Sequence, residues 1–292
     1  MSTTWNIQGK TVLVTGGTQG IGYETAHALA AAGANVIIAA RDTVRGAAAV
    51  VSLQQQTGST NVSFVSADLS LLSEVRRLAE HIITHYPQLH VLVNNVGNAN
   101  ALHEVTAEGL EITFVRNHLG PFLLTNLLLP LLEASAPARI INVSSGVHRF
   151  GHMDFTDLQS ERNYKMMPAY EQAKLANLLF TYELARRLSG TNVTVNAADP
   201  LGTITAVKKV PFPFVVRLIL PLFTNFLTVE RAGRSPIYLA SSPEMTGITG
   251  KYVDFRRKII RSSPASYDEA AAKKLWLVSA ELVGLTQMSQ SH

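Results

Sequence analysis

The sequence predicts a single α/β domain built on a doubly wound parallel sheet. Three observations carry that expectation. Short β-branched runs alternate with stretches of helical periodicity along nearly the whole chain. A glycine-rich turn falls directly between the first such run and the first helical stretch. The 292 residues, 47% hydrophobic and 16% charged, supply one sizeable core and contain no linker, internal repeat or low-complexity tract.

Thr11-Val12-Leu13-Val14-Thr15 reads as the first strand, and a helix from Tyr23 to Ala32 follows the glycines and is closed by Gly33. Asn35 to Ala40 is the next strand, followed by a helix from about Thr43 to Gln56. Val62 to Val65, a helix from about Leu72 to Tyr86, and Val91 to Asn94 continue the series. Then come a long helix from about Leu110 to Leu132, the strand Ile140 to Val143, the helix that carries Tyr170, and the strand Val193 to Asn196. A last strand is expected at Lys251 to Asp254 and a last helix from about Tyr267 to Leu282. Apolar strands alternating with amphipathic helices imply a parallel sheet covered on both faces. Two segments interrupt the series, 146–168 and 201–227. Long connections inside a compact domain tend to be functional, so the first is read as a substrate loop and the second as a lid.

Gly16-Gly17-Thr18-Gln19-Gly20-Ile21-Gly22 has the composition that a dinucleotide turn needs. Glycines allow a tight turn and close backbone approach, and the helix that follows offers free N–H groups to a pyrophosphate. A second pattern is Tyr170-Glu171-Gln172-Ala173-Lys174, which puts a phenol and an ammonium one helical turn apart on one face. A phenol titrates near ~10, and a neighbouring ammonium favours its phenolate. Such a pair can pass a proton to or from an alcohol or carbonyl oxygen.

Composition removes several function classes. There is no Cys, which excludes disulfides and thiolate chemistry. The net charge of +4 is a mild excess, and its one dense run, Arg256-Arg257-Lys258 with Arg261, reads as a solvated surface rather than a nucleic-acid site. No run reaches the ~18 uncharged apolar residues of a membrane span. The nearest, Val210 to Leu227, is broken by Pro211, Pro213, Arg217 and Pro221. The first residues lack the pattern of a signal peptide, so a cytoplasmic location is expected. His81 and His85 lie four apart on a helix without a third ligand nearby, and no metal is expected. His148 and His152 are read as substrate-loop residues.

With these motifs in order, the chain resembles a short-chain dehydrogenase/reductase of the classical type, a Rossmann-fold family, from about Gly9 to Leu285. Thr15 to Gly22 resembles the family's cofactor loop, and Asn94-Asn95-Val96-Gly97 its Asn-Asn-Ala-Gly segment. Asp68-Leu69 resembles the position that meets the adenine, and Asn142-Val143-Ser144-Ser145 the serine-bearing strand end. Within the family, Asn117-His118-Leu119-Gly120, Lys174-Leu175-Ala176-Asn177 and the interval of 25 residues (170 − 145) from Ser145 to Tyr170 are similar to the retinol-dehydrogenase-like branch. The membrane-anchoring start of many such enzymes is absent, so a soluble relative is expected.

The resemblance implies roles. Tyr170 is the general acid in reduction and the base in oxidation, and Lys174 lowers its pKa and holds the nicotinamide ribose. Ser145 orients the substrate oxygen, Ser144 is structural, and Asn117 holds a water in the proton relay. Gly16, Thr18, Gln19, Gly20, Ile21, Gly22, Arg41, Asp68, Leu69, Asn95 and Pro200, with Tyr170 and Lys174, contact the cofactor. The substrate is a small lipophilic alcohol or its carbonyl partner, and a homodimer or homotetramer is compatible with the family. One departure is Leu201, which stands where the family has the glycine of a Pro-Gly bend. A non-Gly residue forced left-handed costs ~1–2 kcal/mol, and Gly202 is the nearest replacement.

The cofactor preference is read just after the second strand. The usual acidic position holds Ala40, and Arg41 presents a planar fork that suits a 2′-phosphate. Asp42 is expected to cap the next helix rather than bind a ribose. The expected cofactor is therefore NADP(H), with NAD(H) as the weaker partner. Two other readings compete with an enzyme. One is a nucleotide-binding sensor or scaffold without turnover. The other is a membrane-surface protein that uses Phe212, Phe214, Phe223 and Phe226, residues that an apolar lid explains as well.

Overall fold

The computed structural model describes residues 5–200 and 228–285. Eight strands form one sheet in the order β3-β2-β1-β4-β5-β6-β7-β8. They are β1 (Thr11–Thr15), β2 (Asn35–Ala40), β3 (Val62–Ser66), β4 (Val91–Asn94), β5 (Ala138–Val143), β6 (Val193–Asp199), β7 (Tyr252–Asp254) and β8 (Ile259–Ile260). The first seven are parallel, and β8 closes the edge antiparallel to β7. The chain steps outward from β1 to β3, returns to β4, and steps outward again to β7. That reversal opens a crevice above the carboxyl ends of the strands, where ligands of such sheets bind.

Strand alternation divides the core into two layers. Leu13, Ile37, Leu92, Ile140 and Val195 point to one face, against helices α3 (Leu72–His85), α5 (Gly120–Ala134), α6 (Met166–Arg187) and α8 (Glu269–Leu282). Val12, Val14, Val36, Ile38 and Ile141 point to the other, against α1 (Gly20–Ala31), α2 (Thr43–Thr57) and α7 (Val229–Ser241). Both faces of the sheet are thereby covered by helices.

Three features depart from the sequence reading. The long helix after β4 is interrupted: a short α4 (Ile112–Phe114) passes through a π turn at Val115–Leu119 into α5. Asn117 and His118 lie on that turn. Helix α7 was not expected, because Pro236 lies inside it and reads as a breaker; the Thr228 side chain caps its start by accepting the Arg231 amide. Strand β8, at two residues, is too short to show a period. The proposed lid at 201–227, with Leu201, Gly202 and the four phenylalanines, lies outside the described residues. Among the described residues no helix is long and apolar enough to cross a membrane.

Candidate active site

The carboxyl ends of six parallel strands deliver the expected residues to one edge of the sheet. Gly16 to Gly22 follow β1, Arg41 follows β2, Asp68 and Leu69 follow β3, and Asn95 follows β4. Ser145 follows β5 and Pro200 follows β6. The glycine turn is tight enough to demand its composition. A Cβ at Gly22 would collide with the Gly16 carbonyl and stand 2.5 Å from Asn95 Nδ2. Asn95 ties the turn to β4, its Nδ2 donating to the Thr15 carbonyl at 2.9 Å. The Thr15 hydroxyl accepts the amides of Asn95 at 2.9 Å and Val96 at 3.2 Å. Gln19, at the N-cap of α1, makes no side-chain cap, so the first amides of that helix face the crevice without an internal acceptor. These groups fit a pyrophosphate.

At the far end of the crevice three charged groups cluster. The Asp68 carboxylate accepts the amide and hydroxyl of Ser70 at 3.0 and 2.6 Å. Burial works against its charge, but the two Ser70 bonds, with Arg116 and Arg41 nearby, hold it below the ordinary carboxylate value. Arg116, on the π turn, is itself pulled down by burial, while Asp68 opposes that pull. Arg116 escaped the sequence reading because only the π turn brings it beside Asp68. Arg41 is exposed. Asp42 points back into its own helix, accepting the Arg45 amide at 3.0 Å and pairing with the Arg45 guanidinium at 3.3 Å.

Helix α6 carries Tyr170 and Lys174 one turn apart beneath the Ser145 segment. Lys174 is buried and donates from Nζ to the Val143 carbonyl of β5 at 3.1 Å. Its Nζ lies 5.5 Å from the centroid of the Tyr170 ring. Burial pushes Lys174 down to about 7. Burial likewise pushes the Tyr170 phenol up to about 12, against the opposing pull of the Ser145 hydroxyl beside it. Burial is the larger of the two influences on this phenol in the protein alone. Ser144 is buried and donates to the Lys174 carbonyl at 3.0 Å, which is a structural contact.

Asn117 is held on the π turn by two bonds from its Nδ2, to Asn98 O at 2.9 Å and Thr113 O at 2.8 Å. Its Oδ1 is buried without a protein partner. A Cβ at Gly97 would collide with that oxygen and stand 2.9 Å from Lys174 Nζ, so Gly97 separates the two groups by little more than its own backbone.

One expectation about histidines changes. His148 is fully buried rather than lining a substrate loop, because the 3-10 turn Gly146–Phe150 folds it under β7. His152 does line a surface cleft, with Asp154, Asp157 and Arg162. His81 and His85 stack at 4.1 Å on α3, and among the described residues no group of three His, Cys, Asp or Glu side chains is placed to hold a metal.

A parallel sheet of this order, with a glycine turn at β1 and a Ser, Tyr and Lys gathered at β5 and α6, defines a nicotinamide-dependent oxidoreductase. The short chain dehydrogenase family model matches residues 10–212. Human retinol dehydrogenase 13 is 42% identical over 287 residues, covering 96% of this chain and 86% of the relative. Among solved structures, an uncharacterised protein of Mycobacterium paratuberculosis is 31% identical with a TM-score of 0.77, over 97% of this chain and 98% of the other. The RhlG/NADP active-site complex of Pseudomonas aeruginosa is 28% identical with a TM-score of 0.66, over 87% and 97%. The chain belongs to the short-chain dehydrogenase family, as an NAD(P)-dependent dehydrogenase/reductase related to the retinol dehydrogenases.

Proposed function

We propose that the protein is an NADP(H)-dependent oxidoreductase that interconverts a lipophilic alcohol and its aldehyde or ketone, with Tyr170 as the general acid and base. The observation that carries this reading is the convergence of Ser145, Tyr170 and Lys174: a phenol beside a serine hydroxyl, with a buried lysine one turn below. Bound cofactor supplies the hydride. The chain's own groups manage the oxygen and the proton. In reduction the Ser145 hydroxyl donates a hydrogen bond to the carbonyl oxygen, and Tyr170 gives its phenolic proton to that same oxygen as the carbon accepts hydride. In oxidation the proton returns to Tyr170. A phenol pushed up to about 12 is protonated at neutral pH, the form that gives its proton in reduction. Lys174, anchored to β5, would hold the nicotinamide ribose, and the buried Oδ1 of Asn117 would hold a water that feeds the proton path.

Two features support NADP(H) over NAD(H). The Asp42 carboxylate is engaged by its own helix, and Arg41 stands exposed at the end of β2 with Ala40 before it. The substrate class rests on the similarity to retinol dehydrogenases and on the apolar composition of 201–227, and a long-chain aldehyde of retinoid type is the first candidate. The test is a panel of lipophilic aldehydes and ketones with NADPH, followed by nicotinamide absorbance. Turnover of at least one supports the reading; tight NADPH binding without turnover across the panel identifies a sensor.

A further inference from the structure

One peptide unit in this site is gripped at both ends by side chains that no step of the reaction uses. Its carbonyl belongs to Ser145 and its N–H to Gly146. His148 Nδ1 lies 2.7 Å from the Ser145 carbonyl oxygen. The Ser263 amide donates to His148 Nε2 at 3.0 Å. Because Nε2 accepts, the hydrogen of the neutral ring is on Nδ1 and is donated to Ser145; the hydrogen-bond network assigns this tautomer. The ring is 0% exposed. The Tyr252 ring packs edge-on against it at 5.1 Å, with its hydroxyl 3.4 Å from Nδ1.

Asp199, the last residue of β6, stands on the N–H side. A Cβ at Gly146 would be 3.9 and 4.0 Å from its two carboxylate oxygens. Burial raises the Asp199 carboxyl, opposed by the Tyr252 hydroxyl, Arg149 and the Gly146 amide. Strand β6, strand β7, the Ser263 segment and the turn after β5 thus meet around a single peptide plane. Ser145 itself is extended, at φ −166° and ψ 152°, so the orientation of that plane sets where its Cβ and hydroxyl point.

We propose that His148 is a positioning residue for the reaction: by holding the Ser145 carbonyl it fixes the direction in which the Ser145 hydroxyl meets the substrate oxygen and the Tyr170 phenol. Asp199 braces the same peptide from its other end, and Ser263 carries the constraint out to the C-terminal segment. The inference rests on the role of Ser145 proposed above. A displacement of ~1 Å at a reacting group costs on the order of 100-fold in rate, so a serine released from this grip loses most of its contribution. The competing reading is an ordinary buried histidine satisfied at both nitrogens, which affects stability alone.

The experiment compares His148→Leu, His148→Asn, Ser145→Ala, the Ser145→Ala/His148→Leu double variant and Tyr170→Phe, measuring kcat, KM for an aldehyde and the Kd of NADPH. Leu removes the side-chain donor and leaves only the His148 amide, 3.1 Å from the same carbonyl. Asn places an amide N–H where Nδ1 lies and keeps it. Expected is a fall of roughly 100-fold in kcat for His148→Leu with the Kd of NADPH unchanged, and recovery of most of that loss in His148→Asn. On the Ser145→Ala background, adding His148→Leu changes kcat by less than about twofold, because the residue acts through the missing hydroxyl. Equal losses for Leu and Asn, or an undiminished loss on the Ser145→Ala background, would overturn the role. Should His148→Leu fail to fold, His148→Gln replaces it: its amide reaches the Nε2 position and leaves the Nδ1 position without a donor. A loss of at least about fivefold in kcat is expected there, and wild-type kcat refutes the role. If Tyr170→Phe turns over like wild type, the proposed function itself fails and this role falls with it. If Tyr170→Phe is inactive while His148→Leu keeps wild-type kcat, only the positioning role fails.

Discussion

Lys174 reaches past Tyr170 to the sheet: its Nζ donates to Val143 O on β5 at 3.1 Å and lies 5.5 Å from the centroid of the phenol ring. The two side chains share a helix face, yet the lysine is anchored by a strand. The lysine therefore keeps its position if the phenol oxygen is removed. Tyr170→Phe should lower kcat by ~100- to 10,000-fold while leaving NADPH affinity nearly unchanged, since only the oxygen moves the proton. Stopped-flow turnover together with a cofactor titration checks it, and wild-type-like turnover would remove Tyr170 from the mechanism.

Beyond the end of β2, Arg41 is exposed while Asp42 is occupied with Arg45. NADP(H) should bind more tightly than NAD(H), and Arg41→Ala should erase most of the difference. A charge-assisted contact to phosphate contributes ~1.5–3 kcal/mol, or about ten- to a hundredfold in affinity. Titrations of both cofactors into wild type and variant decide it; equal wild-type affinities, or a gap that survives in the variant, contradict the assignment.

Gly97→Ala should be damaging although it adds one methyl group. The new carbon collides with Asn117 Oδ1 and comes within 2.9 Å of Lys174 Nζ, so both must shift. Overpacking of this kind costs ~1–3 kcal/mol of stability. Activity should fall further than stability alone explains, because Lys174 and Asn117 are the groups proposed to serve the cofactor ribose and the proton path. Urea unfolding and kcat, measured on the same preparation, separate the two effects; an unaltered kcat would show that neither group matters to turnover.

His118 gives a pH dependence of stability. It is fully buried on the π turn, with Nε2 2.8 Å from Ser279 Oγ of α8, and burial pushes it down to about 3 from 6.5. Between those values the unfolded chain holds a proton that the folded protein refuses. Stability is thus complete above about pH 6.5 and falls as the pH drops toward 3. The loss from this residue should be about 2 kcal/mol at pH 5 relative to pH 7. Denaturant titrations of wild type and His118→Gln at both pH values test it: the variant's stability should depend less on pH, and an identical dependence would rule His118 out as the source.

Local chemistry was the part of this molecule legible in the sequence. The glycine turn and the Tyr170–Lys174 spacing depend on residues within one or two turns of chain, and so does the Asp42 cap; the structure has the tight turn, the two side chains one helical turn apart and the cap. What escaped depends on distant partners. His148 looked like a loop residue because nothing near it announces the Ser263 amide, 115 positions away. The rise of the Tyr170 phenol comes from burial by other elements, which a spacing of four residues cannot convey. Helix α7 was hidden by Pro236, whose cost is outweighed by packing of Ala232 and Leu239 into the core.

The Ser235 hydroxyl of α7 donates to the Asp199 carbonyl at 3.1 Å, so the chain is pinned on both sides of residues 201–227. An insertion between two fixed posts is cheap to lengthen, since doubling a loop adds only ~0.6 kcal/mol of closure entropy. Stretches of different length can therefore join Asp199 to α7 while the sheet, the glycine turn and the Ser145, Tyr170 and Lys174 cluster stay as they are.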